Sequence, residues 1–146
     1  MLYLILNIFM NCIYCNNIIL GKGTKFCNNL CQNKYRTNEN LVAWQQGNFI
    51  AITGKTMKMK PCIRKFLIKQ ANGKCSKCGW NEINPITHQV PLEINHIDGN
   101  VTNNLPSNLE VICPNCHSLT PNFRALNKNS KRIRNKMEQV EGFEPT

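Results

Sequence analysis

The sequence predicts a small α+β protein that is stabilised by zinc. Three observations lead to this prediction. The chain has 146 residues, eight of its nine cysteines fall into two sets of four, and its apolar residues occur in short runs. Paired cysteines two or three residues apart are typical of thiolates that share one tetrahedral zinc ion. Chains with little apolar core often use metal ions as staples.

The first module is predicted to cover residues 11–47. Its four candidate zinc ligands are Cys12, Cys15, Cys27 and Cys31. A Gly-Lys-Gly turn at residues 21–23 suits a short hairpin between the two pairs. The residues after Cys31 favour a helix that ends at Gly47. With so few apolar residues, this module is expected to need its metal in order to fold.

Residues 48–60 are predicted to be a linker or a poorly packed strand. A helix is expected to begin at Pro61, with Phe66 and Leu67 facing the core, and to end at Gly73. Cys62, the ninth cysteine, is interpreted as a buried small side chain, because no base lies near it in the sequence.

The second module contains the second cysteine set. Its members form two CxxC pairs separated by 34 residues: Cys75, Cys78, Cys113 and Cys116. A site closed by four thiolates is structural, because no coordination position remains for water. Between and after the pairs we expect a strand at 89–97, a tight turn at 98–100, a second strand at 109–113 and a helix from Pro114.

Two histidines and one asparagine are candidate catalytic residues. His96 ends the first predicted strand beside the turn, where a histidine suits a general base; the alternative is a half-buried structural residue. His117 follows Cys116 and is a candidate ligand of a divalent ion, with a zinc ligand or an exposed residue as alternatives. Asn108 is a candidate for fixing the His96 ring or binding the ion, or is simply a turn residue. His88 is expected to be exposed.

The distribution of charge favours a polyanionic partner. The net charge is +10, Glu39 is the only acid before residue 82, and two acid-free basic segments lie at 55–77 and 124–136. Such segments suit nucleic acid, although a solvated cationic surface is the alternative. The candidate DNA contacts are Lys58, Lys60, Arg64, Lys65, Arg124, Lys128, Lys131 and Arg132.

Two sequence runs resemble the HNH nuclease family in its four-cysteine form. They are LEINHIDGN at 92–100 and NLEVICPNCHSLT at 108–120, in which His96, Asn108 and His117 match the three letters of the family name. The resemblance implies a ββα-metal, treble-clef-like nuclease domain at 61–130 that cuts DNA. It also implies an N-terminal zinc knuckle like those of phage and bacterial proteins of this kind.

The resemblance further implies the chemistry. His96 would be the base that activates water, and Asn95, with Asn108 or His117, would bind one Mg²⁺-like ion. Asn108 would also orient the His96 ring. The family commonly has Asp or His at position 95, and an amide oxygen binds a hard cation more weakly than a carboxylate. Glu93 is a nearby carboxylate. Because side chains alternate along a strand, it is predicted to point to the same side as Asn95 and away from His96.

Two other functions are also compatible with the sequence. One is a zinc-stapled DNA-binding protein with a degenerate, inactive site, which Asn95 favours. The other is a structural protein-interaction module, which would leave the basic segments unexplained.

The expected location follows from the thiolate ligands. They require a reducing compartment, so we expect the cytoplasm of a bacterial or phage-infected cell. Residues 1–10 are apolar but too short to span a bilayer, and they lack the basic start of a signal peptide. Translation is therefore expected to begin at Met10. Residues 131–146 are predicted to form a disordered tail, basic and then acidic.

Overall fold

The computed structural model describes residues 10–20, 25–53 and 57–128. The chain divides into two compact units, with the boundary between Ala43 and Trp44. We call them the N-terminal unit and the C-terminal unit. The predicted turn at 21–23 and the predicted tail at 131–146, with Lys131 and Arg132, lie outside the described residues.

The N-terminal unit is built around its cysteines. An isolated antiparallel bridge pairs Asn11 with Ile18. Helix α1 (Asn29–Gln45) follows, and the Asn28 side chain accepts a hydrogen bond from the Cys31 backbone N–H at its start. The buried cluster of this unit consists of Cys12, Ile19 and Cys31. Two of these three buried residues are cysteines, so thiols make up most of the buried cluster in the described part of this unit.

In its described residues, the C-terminal unit contains two pairs of short strands and two helices. Its elements in chain order are β1 (Ile52–Thr53), β2 (Lys58–Met59), α2 (Pro61–Gln70), β3 (Glu93–His96), β4 (Leu109–Ile112) and α3 (Pro114–Ser118). Strands β1 and β2 pair antiparallel, as do β3 and β4, and short 3-10 turns cover Pro106–Asn108 and Arg124–Leu126. The small α+β class predicted from the sequence is confirmed.

The segment predicted as a linker or a poorly packed strand contains a pair of strands. Residues 48–60 include both β1 and β2. Ala51, just before β1, is buried, and its carbonyl accepts a hydrogen bond of 2.7 Å from the Lys60 backbone N–H. The segment therefore packs as part of the C-terminal unit. The first strand of the second module is also shorter than predicted, since β3 occupies only four of the nine residues at 89–97.

Helix α2 supplies much of the core. Pro61 occupies its first turn, where its missing N–H costs nothing, and Ile63 and Leu67 are buried. After the helix, Gly73 has a φ of +65° and donates a hydrogen bond to the Ile68 carbonyl. The predicted start of this helix at Pro61 is confirmed, and the helix ends at Gln70, three residues before the predicted stop at Gly73. Cys62, which was expected to be buried, is half-buried.

Trp44 connects this core to the loop after β3. Its side chain is only 1% exposed, and its ring meets Phe66 edge-on at 6.0 Å between centroids. The indole N–H donates a hydrogen bond of 2.6 Å to the Asn104 carbonyl. A buried tryptophan needs such an acceptor, because an unpaired N–H in the core is costly.

Both cysteine sets have the geometry of a zinc site. Within each set all four Sγ atoms lie within 4.8 Å of one another. A tetrahedral ion with Zn–S bonds of about 2.3 Å places its sulfurs about 3.8 Å apart. The Sγ atoms of Cys78 and Cys113 are 3.8 Å apart, and those of Cys15 and Cys27 are 3.6 Å apart. The residues present therefore fit the metal that the sequence predicts.

The ionisation of the thiols also favours a cation. Burial opposes ionisation of Cys75, but backbone N–H groups of Cys113 and Cys78 outweigh it and lower its pKa to about 6. Its hydrogen-bonded neighbour Cys78, and then burial, raise the pKa of Cys116 to about 12. Four sulfurs packed this closely can all be thiolates only when a positive ion offsets their mutual repulsion.

We predict two zinc ions per chain. Cys75→Ser should reduce the zinc content to one and unfold the C-terminal unit, because structural zinc contributes on the order of 10 kcal/mol to folding. Metal analysis by mass spectrometry and amide NMR spectra would measure both effects. Cys62→Ser is the matched control and should keep both ions. A folded Cys75→Ser protein with two zinc ions would contradict the site.

Candidate active site

The zinc-ligand segment joins β4 to α3 and sets the position of the candidate site. Cys113 directly follows β4, and its Sγ accepts a hydrogen bond of 3.4 Å from the Cys116 backbone N–H in α3. The chain therefore turns sharply after β4, and α3 packs against β3. In a strand, alternate side chains face opposite sides. Glu93 and Asn95 thus share one face of β3, and His96 belongs to the other.

His117 of α3 contacts Glu93 of β3. Its Nδ1 lies against the Glu93 carboxylate oxygen Oε2, and its ring meets Phe123 edge-on at 5.3 Å between centroids. His117 is half-buried and does not belong to either group of potential zinc ligands in the described chain. The contact with Glu93 distinguishes it from the alternative of a freely exposed residue.

Asn95 is buried against a carboxylate. Its side-chain NH₂ donates a hydrogen bond of 2.7 Å to Oε1 of Glu110, the residue paired with it across the hairpin. Lys77 lies 3.2 Å from the same oxygen. An ionised carboxylate can only accept hydrogen bonds, so Asn95 must present its nitrogen to Glu110. The Asn95 amide oxygen is therefore the atom directed away from Glu110, where it is a possible cation ligand.

His96 contacts an asparagine that the sequence analysis did not single out. The His96 Nε2 atom lies 3.1 Å from Oδ1 of Asn104, and the Asn104 side-chain nitrogen donates to the Val101 carbonyl. An oxygen acceptor at Nε2 selects the tautomer that carries its proton there. Nδ1 is then the basic nitrogen of the ring.

Asn108 holds the turn after His96 rather than the His96 ring. Its side chain is buried and accepts a hydrogen bond of 3.0 Å from the Asp98 backbone N–H. Its nitrogen donates to the Asp98 carboxylate and to the Asn103 carbonyl, both at 2.8 Å. The ring contact expected of Asn108 is made by Asn104. Asn108 instead fixes the path of the chain that leaves His96.

Asp98 is the acceptor at the centre of this loop. It receives hydrogen bonds from the Asn100 backbone, from Asn103 and from Asn108. Burial alone would raise the pKa of Asp98, but these bonds outweigh it and lower the pKa below its usual value. The carboxylate is therefore charged and engaged in the loop. Asp98 and Glu93 both lie near Asn95 in the sequence, and Glu93 is the one that contacts His117.

Gly99 completes the loop by allowing a close approach. Its φ is +73°, and a Cβ atom at this position would lie 2.6 Å from Asn127 and 2.8 Å from Asn122. Both asparagines bond the loop, since Asn122 donates to the Ile97 carbonyl and Asn127 to the Gly99 carbonyl. No other residue fits this position without displacing them.

The candidate DNA contacts within the described residues belong to the C-terminal unit. Lys58, Arg64, Lys65, Arg124 and Lys128 are exposed, and Lys60 is half-buried with its ammonium 3.9 Å from the centre of the Phe49 ring. Arg64 donates a hydrogen bond of 2.7 Å to the Leu92 carbonyl just before β3. The Arg124 guanidinium lies over Phe123, the ring that packs on His117. His88 is exposed, as predicted.

Sequence reasoning missed Asn104 and Glu110 and gave Glu93 no role in the site. The alternation of side chains along the strand predicted that Glu93 and Asn95 share one face of β3. It did not predict that α3 would bring His117 to the same face. Glu110 was detectable only from the register of the hairpin, and Asn104 lies in a run of asparagines with no distinguishing pattern.

We predict that an acid at position 95 conflicts with Glu110. Asn95→Asp would set two carboxylates against each other and should reduce the free energy of unfolding by about 1–3 kcal/mol. Adding Glu110→Gln should restore most of this loss, because the new amide can donate to Asp. Urea denaturation of zinc-loaded protein would measure both, with the exposed Glu82→Gln as control. Equal stability of Asn95→Asp and the parent would contradict the pairing.

We also predict a large effect of removing the Asn108 side chain. Asn108→Ala breaks three hydrogen bonds in a buried loop, two of them with Asp98, and should cost on the order of 3 kcal/mol of stability. The exposed Asn81→Ala is the matched control and should change little. Urea denaturation is the measurement. A loss below about 0.5 kcal/mol, typical of surface substitutions, would show that Asn108 does not fix the loop.

In the described part of the chain, no helix is both long enough and apolar enough to cross a membrane.

Comparison with known proteins identifies a partial relative. A stretch of 54 residues is 44% identical to the H-N-H endonuclease F-TflIV of Escherichia phage T5. The stretch covers 37% of this chain and 23% of that protein, so the chain spans only about a quarter of its relative. No protein-family model and no solved structure matches the chain. Part of this chain is thus homologous to a phage HNH endonuclease.

Proposed function

We propose that this chain is a metal-dependent HNH-type endonuclease that hydrolyses phosphodiester bonds in DNA. The observation that carries the proposal is the approach of His117 to the strand that bears Asn95 and His96. The turn at Cys113, in the second cysteine set, produces this approach. In addition, the partial relative is itself an HNH endonuclease. The order of β3, β4 and α3 suits the ββα-metal, treble-clef-like domain implied by the resemblance.

His96 acts as the general base. Asn104 accepts the Nε2–H of the ring, so Nδ1 takes a proton from the attacking water. The water oxygen then bonds to phosphorus as the bond to the 3′ oxygen breaks. General bases of this kind typically accelerate a reaction by about 10²–10⁴. The Asn108–Asp98 network supports this step by fixing the chain directly after His96.

A divalent ion would be held by donors on β3 and α3. Asn95 would offer its amide oxygen and His117 a ring nitrogen. Asn108, whose side chain bonds Asp98 and Asn103, acts through the loop rather than as a ligand. When bound, a Mg²⁺-like ion supplies the charge that stabilises the crowded phosphate and the leaving 3′ oxygen.

The exposed basic residues bind the DNA backbone. Arg64 and Lys65 on α2 and Arg124 beside Phe123 lie in the same unit as the site and carry charge without a carboxylate partner nearby in sequence. Such contacts bind phosphates and position the duplex, but do not read bases. The N-terminal zinc unit adds further basic surface, and binding should weaken as salt increases.

The second candidate function is a zinc-stapled DNA-binding protein with an inactive site. The neutral Asn95 is the observation that favours it, because an amide binds a hard cation less tightly than a carboxylate does. Both candidates predict salt-sensitive DNA binding, so only cleavage separates them.

We predict that zinc-loaded protein nicks or cuts supercoiled plasmid when Mg²⁺ or Mn²⁺ is added and not when these ions are omitted. His96→Ala should lower the cleavage rate by about 10²–10⁴ while DNA binding is retained, because only the base is removed. His88→Ala is the matched control and should cut like the parent, since His88 is exposed and far in sequence from the turn.

Two outcomes would contradict the proposal. If His96→Ala cuts as fast as the parent, His96 is not the base. If the parent is folded, carries its zinc, binds DNA and does not cut with either ion, the inactive DNA-binding protein is the correct function.

A further inference from the structure

We propose that Glu93 is a positioning residue that prepares His117 to bind the divalent ion. The Glu93 carboxylate accepts a hydrogen bond from the Nδ1–H of His117, which leaves the lone pair of Nε2 to bind the metal. This inference rests on the proposed function for the identity of the ion. It concerns a residue that the HNH resemblance does not include among its three named positions.

The position of Glu93 is set by the hairpin and the zinc ligands. Glu93 begins β3 and pairs with Ile112, the last residue of β4. Cys113 follows at once, α3 starts at Pro114, and the His117 backbone N–H bonds the Cys113 carbonyl at 2.9 Å. His117 therefore lies one helical turn from the end of the strand that Glu93 pairs with. This short path explains why the two side chains meet.

The His117 ring is restrained on two sides. The Glu93 oxygen Oε2 contacts Nδ1, and Phe123 packs edge-on against the ring. The His117 side chain is 26% exposed and that of Glu93 is 48% exposed. The pair is therefore accessible from solvent, as a metal ligand must be, while the ring has a defined orientation.

The chemistry of the pair determines which nitrogen binds the ion. A neutral imidazole has one N–H donor and one acceptor nitrogen, whereas an ionised carboxylate can only accept. The contact with Glu93 thus requires the proton on Nδ1 and leaves Nε2 as the acceptor. Histidines that bind metal commonly donate their other N–H to a carboxylate, which fixes the tautomer and the ring orientation.

The tautomer of His117 tests this inference without DNA or added divalent ion. In ¹⁵N-labelled, zinc-loaded protein at pH 8, where ordinary imidazoles are neutral, long-range ¹H–¹⁵N spectra should show Nδ1 protonated and Nε2 not. Glu93→Ala should lose this preference, and Glu93→Gln should keep it, because its amide oxygen also accepts. A proton on Nε2, protons on both nitrogens, or an unchanged tautomer in Glu93→Ala would overturn the proposal.

The affinity for Mn²⁺ provides the second readout. Calorimetric titration of zinc-loaded protein should show binding about 10–100-fold weaker in Glu93→Ala and a smaller loss in Glu93→Gln. The exposed Glu82→Ala removes the same charge elsewhere in the unit and is the matched control. Equal affinities of Glu93→Ala and Glu82→Ala would overturn the role of Glu93, as would a Glu93→Gln protein as weak as Glu93→Ala.

These measurements separate the inference from the proposed function. A protein with the expected tautomer and Mn²⁺ affinities that does not cut plasmid retains the Glu93–His117 pair and loses the nuclease assignment. A protein that cuts plasmid but has Nε2 protonated retains the nuclease and loses the pair.

Discussion

The four sulfurs of Cys75, Cys78, Cys113 and Cys116 form the interaction on which the rest of the C-terminal unit depends. The hairpin has strands of only four residues, and α3 has five. Elements this short are not stable alone, since a two-stranded hairpin is marginal and a single helical turn has a costly nucleus. A tetrahedral ion bound at this site would join the start of the module to the end of β4 and the beginning of α3. It would thereby supply the order that a larger apolar core supplies in other proteins.

Hydrogen bonds made by side chains, many of them to the backbone, hold the loop after His96 together. The chain is rich in asparagine, and the asparagines around this loop are engaged by their amides. Asn108 bonds Asp98, Asn104 contacts His96, and Asn122 and Asn127 bond the backbone beside Gly99. Each bond is worth only about 1 kcal/mol net, but a buried group left without its partner costs more. The network therefore specifies one conformation for the residues that follow the proposed base.

The two proposed metal ligands are each paired with a carboxylate through nitrogen. Asn95 donates to Glu110, and His117 contacts Glu93. In both cases the carboxylate engages the donor side of the ligand and leaves an acceptor atom for a cation. This arrangement gives a physical reason for asparagine at position 95, because an aspartate there would oppose Glu110. A neutral Asn95 is therefore consistent with a working site in which Glu110 and Glu93 carry the negative charge.

The sequence alone determined the small α+β class, both cysteine sets and the start of α2, because cysteine spacing and proline act locally. It also predicted the β3–β4–α3 order and singled out His96 and His117, and only experiment can test their chemical roles. Tertiary structure decided which side chains meet. Strand register put Glu110 against Asn95, the turn at Cys113 put His117 against Glu93, and the folded loop exchanged Asn108 for Asn104 at the His96 ring. Such contacts depend on where separate elements pack, and no local pattern in the sequence records that.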